Sequence, residues 1–187
     1  MLLMASLMNE ASKSQLAIID VQTKLCGVMP TVEMQAVTKN ITTLLQAANR
    51  LAVPVVATEQ YPQALGATVA EIAQYFLKVK PIAKTAFSAC AEPKFKAQCQ
   101  RDRSHIVLVG LEAHICVLQT ALALLAQQKQ VFVVADAVIS RQSLHHGNAL
   151  TRLANAGCIV TNTESVLFEW LSNANHEAFK DLSRLIK

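Results

Sequence analysis

Three residues able to do covalent chemistry stand near the ends of apolar runs. Asp20 closes the run at 15–20, Lys84 lies in KPIAKT (80–85), and Cys116 follows the run 106–109 and Gly110. A thiolate is a strong nucleophile, a carboxylate within hydrogen-bond reach can take the thiol proton, and a lysine near both can hold the carboxylate and stabilise the thiolate. Each also has a plainer reading. Free cysteine is commonly a buried small hydrophobe, aspartate at a strand end bonds loop backbone, and lysine is ordinarily solvated. Those readings do not account for all three standing at strand ends. Cys116 at the first turn of a helix would also face unpaired N–H groups and the positive end of the dipole, which is expected to favour the thiolate.

The elements that must position these residues alternate. Strands are expected at 15–20, 54–58, 80–85, 104–110, 131–136 and 158–161. Helical periodicity marks 33–51, where Val37, Ile41, Leu44, Leu45 and Ala48 fall on one side, and helical character extends over 117–125. Further helices are expected at 68–76, 93–100 and 143–156, the last closed by Gly157 as its C′ residue. Thr163 is expected to cap a helix through Leu171 in which Trp170 packs, and 174–187 reads as a final amphipathic helix. Such alternation implies right-handed crossovers and a mostly parallel sheet covered on both faces. Functional groups of such sheets lie beyond the carboxyl ends of the strands.

Composition narrows the function. The 187 residues suit one domain, and 52% hydrophobic against 16% charged residues argue for a compact core. The net charge of +4 is scattered without a basic cluster, so no nucleic-acid partner is expected. No run reaches the roughly 18 apolar residues of a membrane helix, so no membrane partner is expected either. Five cysteines without a CxxC pair fit a reducing cytoplasm. Residues 1–13 read as a short ragged leader and 14–187 as the domain.

The segments IIDVQ (18–22), KTAFSAC (84–90) and GLEAHICV (110–117) together resemble the isochorismatase-like cysteine hydrolases. TEQYP and LEAHICV are most similar to the isochorismatase domain-containing subgroup. The resemblance implies a three-layer α/β/α sandwich on a six-stranded parallel sheet of order 3-2-1-4-5-6, Rossmann-like, with a catalytic triad of Asp20, Lys84 and Cys116. It also implies a cis peptide at Leu111–Glu112, an oxyanion hole from the N–H groups of Glu112 and Cys116, and a homo-oligomer. The implied reaction is acyl transfer on a small amide or related C–N substrate through a thioester.

Two departures refine this. Nicotinamidases of the superfamily carry an Asp-x-His-x-His metal site after the second strand, whereas TEQYPQALG (58–66) has no histidine. No metal and no cofactor are therefore expected. True isochorismatases lack the cysteine, so Cys116 argues against vinyl ether cleavage. Gln22, Glu59, Gln60, Tyr61, Phe87 and His114 are candidate pocket residues by strand-end or motif position, with Cys26 at its edge. A solvated loop acid is the plainer reading of Glu59, and an exposed loop histidine that of His114. His105, His145, His146 and His176 fall in no metal spacing, with His145 and His146 diverging on a helix, and Cys90, Cys99 and Cys158 read as structural. An idle or redox-responsive small-molecule-binding protein on the same fold remains an alternative. A dinucleotide-binding protein is set aside because no GxGxxG follows the first strand.

Overall fold

The computed structural model describes residues 7–99 and 102–187. Six parallel strands form one sheet: β1 Ser14–Ile19, β2 Val55–Gln60, β3 Ile82–Lys84, β4 His105–Leu111, β5 Gln130–Ile139 and β6 Ile159–Thr161. Their order is β3-β2-β1-β4-β5-β6, as the resemblance implied. The strand order reverses between β1 and β4. Every residue of both strands is buried, which explains why their sequences are continuous apolar runs rather than alternating ones.

Two layers of helix cover the sheet. Helices α1 (Thr31–Arg50) and α4 (Thr163–Leu171) pack on one face, where Ile41, Leu44, Val166 and Trp170 meet Leu16, Ile18, Val107 and Phe132. Helices α2 (Leu118–Ala126) and α3 (Ser143–Asn155) pack on the other, where Leu118, Ala121 and Leu153 meet Ala17, Ile19, Ile106 and Leu108. Cys116 belongs to the second core.

Several local expectations are corrected. The cap of α4 is Asn162, whose side chain accepts from Ser165 N at 2.8 Å, and Thr163 is the first helical residue, its N–H and hydroxyl both held by Asp136 Oδ1. Residues 174–187 form only one regular helical turn, Phe179–Leu182, because side-chain caps at Asn173 and His176 turn the backbone instead. Residues 68–76 likewise reduce to Ala70–Ala73, preceded by a turn at Pro62–Leu65. Strand β5 runs on to Ile139, so Asp136 lies within it, where pairing to β4 jumps from Leu108–Val133 to Gly110–Val138. Of the expected leader, Asn9 is fully buried and its N–H donates to Glu169, and Ala11–Lys13 forms a short helical turn. Residues 1–6 of that leader, and 100 of the expected 93–100 helix, lie outside the described residues.

Candidate active site at the carboxyl end of β1

The pairing of the strands sets the axial positions of the site. Ile19 is level with Thr58 on β2 and with Gly110 on β4, so Asp20 emerges at the point where β1 separates from both neighbours. Lys84 is level with Gln60, two residues or about 7 Å further along β2 than Thr58. A lysine side chain spans that offset and reaches back to β1. Gly110 makes the close approach of β1 and β4 possible: at its φ of 117° an added Cβ would lie 2.0 Å from the Ile19 carbonyl oxygen.

Asp20 and Lys84 form a buried ion pair. Lys84 Nζ stands 2.7 Å from Asp20 Oδ2, and both side chains have no solvent-exposed surface. Taking two charges from water is costly unless the remaining donors and acceptors are met. Lys84 meets this by donating to Gln60 Oε1 at 2.5 Å, Ala86 O at 3.1 Å and Phe87 O at 3.0 Å. Asp20 adopts a left-handed backbone, φ 51°, a conformation aspartate tolerates better than most residues. Its Oδ1 accepts from Thr58 Oγ1 at 2.7 Å, and its N–H donates to the Thr58 carbonyl at 3.2 Å. Thr58 was not singled out in the sequence. Its one signal is a hydroxyl at the end of the buried apolar run PVVAT, where it must find a partner.

Cys116 lies within a turn of π-helix, Ala113–Val117, ahead of α2. Glu112 is extended and its carbonyl accepts from the N–H groups of Ile115 and Val117. Among the described residues every peptide is trans, Leu111–Glu112 included, so the implied cis bond is not present. A trans bond already delivers the Glu112 carbonyl to its two donors, and a non-proline cis bond costs about 3–4 kcal/mol.

Burial pushes the Cys116 thiol up to about 12; the Asp20 carboxylate adds to this and the Lys84 ammonium opposes it. The expectation of a resting thiolate is thereby corrected, since burial outweighs the helix dipole. The group is a thiol at neutral pH, and a nucleophile only if a neighbour takes its proton.

Burial also raises Cys26, Cys99 and Cys158 to about 11, and Cys90 upward. The unfolded chain ionises its thiols near 9, below the folded values, so it binds fewer protons than the fold at higher pH. The stability these thiols contribute is fully present below about pH 9 and is expected to be lost between about 9 and 12. Melting temperatures from pH 7 to 10.5 would show this, with a smaller decline in Cys116→Ser, which lacks the most strongly raised thiol.

The candidate pocket residues divide. Gln60 contacts the site directly through Lys84. Gln22 is fully buried and braces the loop after β2, accepting from Gln60 N and donating to Gln60 O and Gly66 O. Glu59 accepts from the Thr68 N–H and hydroxyl, so it is a loop anchor rather than the solvated acid of the plainer reading. Tyr61 and Phe87 are about half exposed, and Tyr61 borders an open cleft of about 350 Å³ beside Lys84 and Thr85. His114 bonds Ser140 Oγ at 2.9 Å and packs on the His145 ring at 4.7 Å. Burial lowers His114 and the Glu112 carboxylate opposes the shift. The Glu112 carboxylate accepts from the Arg141 N–H and Nε. Cys26 lines a different cleft, with Met29, Met34 and Glu71. Among the described residues no three His, Cys, Asp or Glu side chains are grouped to hold a metal ion.

A parallel six-stranded sheet with a buried Asp–Lys pair at its switch point and a cysteine on the next strand's turn is the α/β arrangement the sequence suggested. The chain belongs to the isochorismatase family: the Isochorismatase domain model matches residues 14–165. Bovine isochorismatase domain-containing protein 2 is 38% identical over 144 residues, covering 77% of this chain and 70% of that one. The structure titled MAR1 ribonuclease from Caenorhabditis elegans is 32% identical with a TM-score of 0.90, covering 95% of this chain and 91% of that one. The YcaC product of Escherichia coli, titled an octameric hydrolase of unknown specificity, shares the fold at 19% identity with a TM-score of 0.85, covering 97% and 96%. No helix among the described residues is long and apolar enough to cross a membrane.

Proposed function

We propose that the protein is a metal-independent cysteine hydrolase that cleaves a small amide or related C–N bond through a thioester. The observation that carries this reading is the fully buried Asp20–Lys84 pair at the end of β1, beside the turn after β4 that carries Cys116. Asp20 takes the thiol proton as Sγ bonds to the carbonyl carbon, and the carbonyl oxygen becomes an oxyanion. Asp20 then gives that proton to the leaving nitrogen as the C–N bond breaks, and water hydrolyses the thioester. Lys84 keeps its charge beside Asp20, with its N–H groups donated to Gln60 and the 86–87 carbonyls. Backbone N–H groups of the 112–116 turn serve the oxyanion, that of Cys116 foremost, since the trans peptide weakens the case for that of Glu112.

The test is turnover of a panel of small amides, esters, vinyl ethers and RNA by the parent and Cys116→Ala. A loss of about 10³-fold or more in the variant is expected. The panel includes RNA because of the name of the C. elegans neighbour, and RNA cleavage that survives in Cys116→Ala would transfer the assignment to a ribonuclease. Self-assembly belongs to the same proposal, supported by the octameric neighbour, and a monomeric mass by light scattering would remove it.

A further inference from the structure

We infer that Thr58 is a positioning residue for proton transfer: its hydroxyl, clamped on Asp20 Oδ1, leaves Oδ2 as the oxygen that takes the Cys116 proton. The inference rests on the cysteine-hydrolase reading and extends it to a residue outside the Asp–Lys–Cys set.

The two carboxylate oxygens of Asp20 are not equivalent. Oδ1 accepts a hydrogen bond from Thr58 Oγ1 at 2.7 Å, with both residues essentially without exposed surface. Oδ2 is 2.7 Å from the Lys84 ammonium, yet among the described residues it has no partner at hydrogen-bond angles. Lys84 therefore acts on Oδ2 by charge, and its directed bonds go to Gln60, Ala86 and Phe87. A buried acceptor oxygen without a directed donor is costly in a resting fold. It is what a base needs to receive a proton from a neighbour. The thiol of Cys116 is the neighbour the fold supplies: β4 runs level with β1 at Gly110 and Ile19, Cys116 lies on the turn that follows β4, and it shares the second core with Ile19, the residue before Asp20.

Thr58 holds this asymmetry from two sides. Its carbonyl accepts the Asp20 N–H while its hydroxyl donates to the Asp20 side chain, and the register places it level with Ile19. The clamp fixes the left-handed Asp20 backbone and the carboxylate rotation together. In the proton transfer the Sγ–H bond breaks, an Oδ2–H bond forms, and sulfur keeps the electron pair that attacks the electrophile. Without the hydroxyl, the carboxylate is free to rotate and lose its alignment with the thiol.

Iodoacetamide, a small neutral amide electrophile, tests this without a known substrate. Alkylation forms an S–C bond and releases iodide, and it needs the same proton removed from Cys116. Labelling at Cys116 is followed by peptide mass spectrometry in the full chain at pH 7, with half-buried Cys99 as an internal reference. Thr58→Val, which keeps the shape and loses the donor, is expected to slow labelling about tenfold or more relative to Cys99, and Thr58→Ser is expected to recover most of it. A purely structural role predicts the opposite direction, because a loosened core exposes a buried thiol and speeds labelling. Unchanged or faster labelling in Thr58→Val, or a serine variant no better than valine, would overturn the inference. If valine prevents folding, the threonine-to-serine comparison against Thr58→Ala decides on the same criterion. The two readings fail separately: Asp20→Asn labelling at the parent rate would sink the underlying mechanism, whereas a slow Asp20→Asn beside an unaffected Thr58→Val would sink the Thr58 assignment alone.

Discussion

Gly110→Ala is expected to destabilise the fold by about 3 kcal/mol or more, from overpacking and a positive φ together. A new Cβ would meet the Ile19 oxygen at 2.0 Å and the Ile19 carbon and nitrogen at 2.8 Å, all of them backbone atoms held by pairing on both sides of β1. There is no flexible side-chain end to move aside. The backbone at φ 117° adds strain of its own. In a chain of this size such a loss lowers the melting temperature by about 6–12 °C. Gly147 is the matched control: it lies in α3 with nothing within 4 Å of an added Cβ, so Gly147→Ala is expected to raise the melting temperature slightly. Equal melting temperatures for the parent and Gly110→Ala would show that the strands can separate locally. Because Asp20 follows Ile19 directly, the same variant is expected to lose labelling at Cys116 even in the fraction that folds.

This close approach shows how far the sequence could be read. The buried strands were legible because LAII and IVLV are short, β-branched-rich runs apolar on consecutive residues, as strands covered on both faces are. Asp20 and Lys84 were legible as strand-end ions, and the resemblance linked them to Cys116. That Gly110 is a contact with β1 as well as the end of an apolar run depends on register, which no local pattern encodes. The same holds for Thr58, whose partner lies 38 residues away. The protonation of Cys116 was misread for a related reason. The helix dipole follows from sequence position, but burial follows from Leu118, Ala121 and the second core closing over the turn. At Asn162 and Thr163, two adjacent cap-forming residues, the sequence could not show that Asp136 would take the threonine and free the asparagine to cap.

Lys84→Met is expected to be the more damaging change at the ion pair itself. It strands the Asp20 carboxylate in a site with no solvent, and removing one partner of a buried pair costs about 3–5 kcal/mol. Asp20→Asn leaves the Lys84 ammonium with Gln60, Ala86 and Phe87 as acceptors, so its cost is expected to be smaller. The double variant Asp20→Asn/Lys84→Met removes both charges together and is expected to be more stable than Lys84→Met alone. Denaturant unfolding of the four proteins gives a coupling energy as a double-mutant cycle. The stability of the double variant relative to the parent separates two accounts of why so buried a pair is present. If the pair exists to stabilise the fold, the double variant stays far below the parent. If it exists for chemistry, the double variant approaches the parent in stability while Cys116 labelling stays at least about tenfold slower, because nothing remains to take the thiol proton. The second outcome is expected, since a buried ion pair seldom exceeds an apolar replacement in stability.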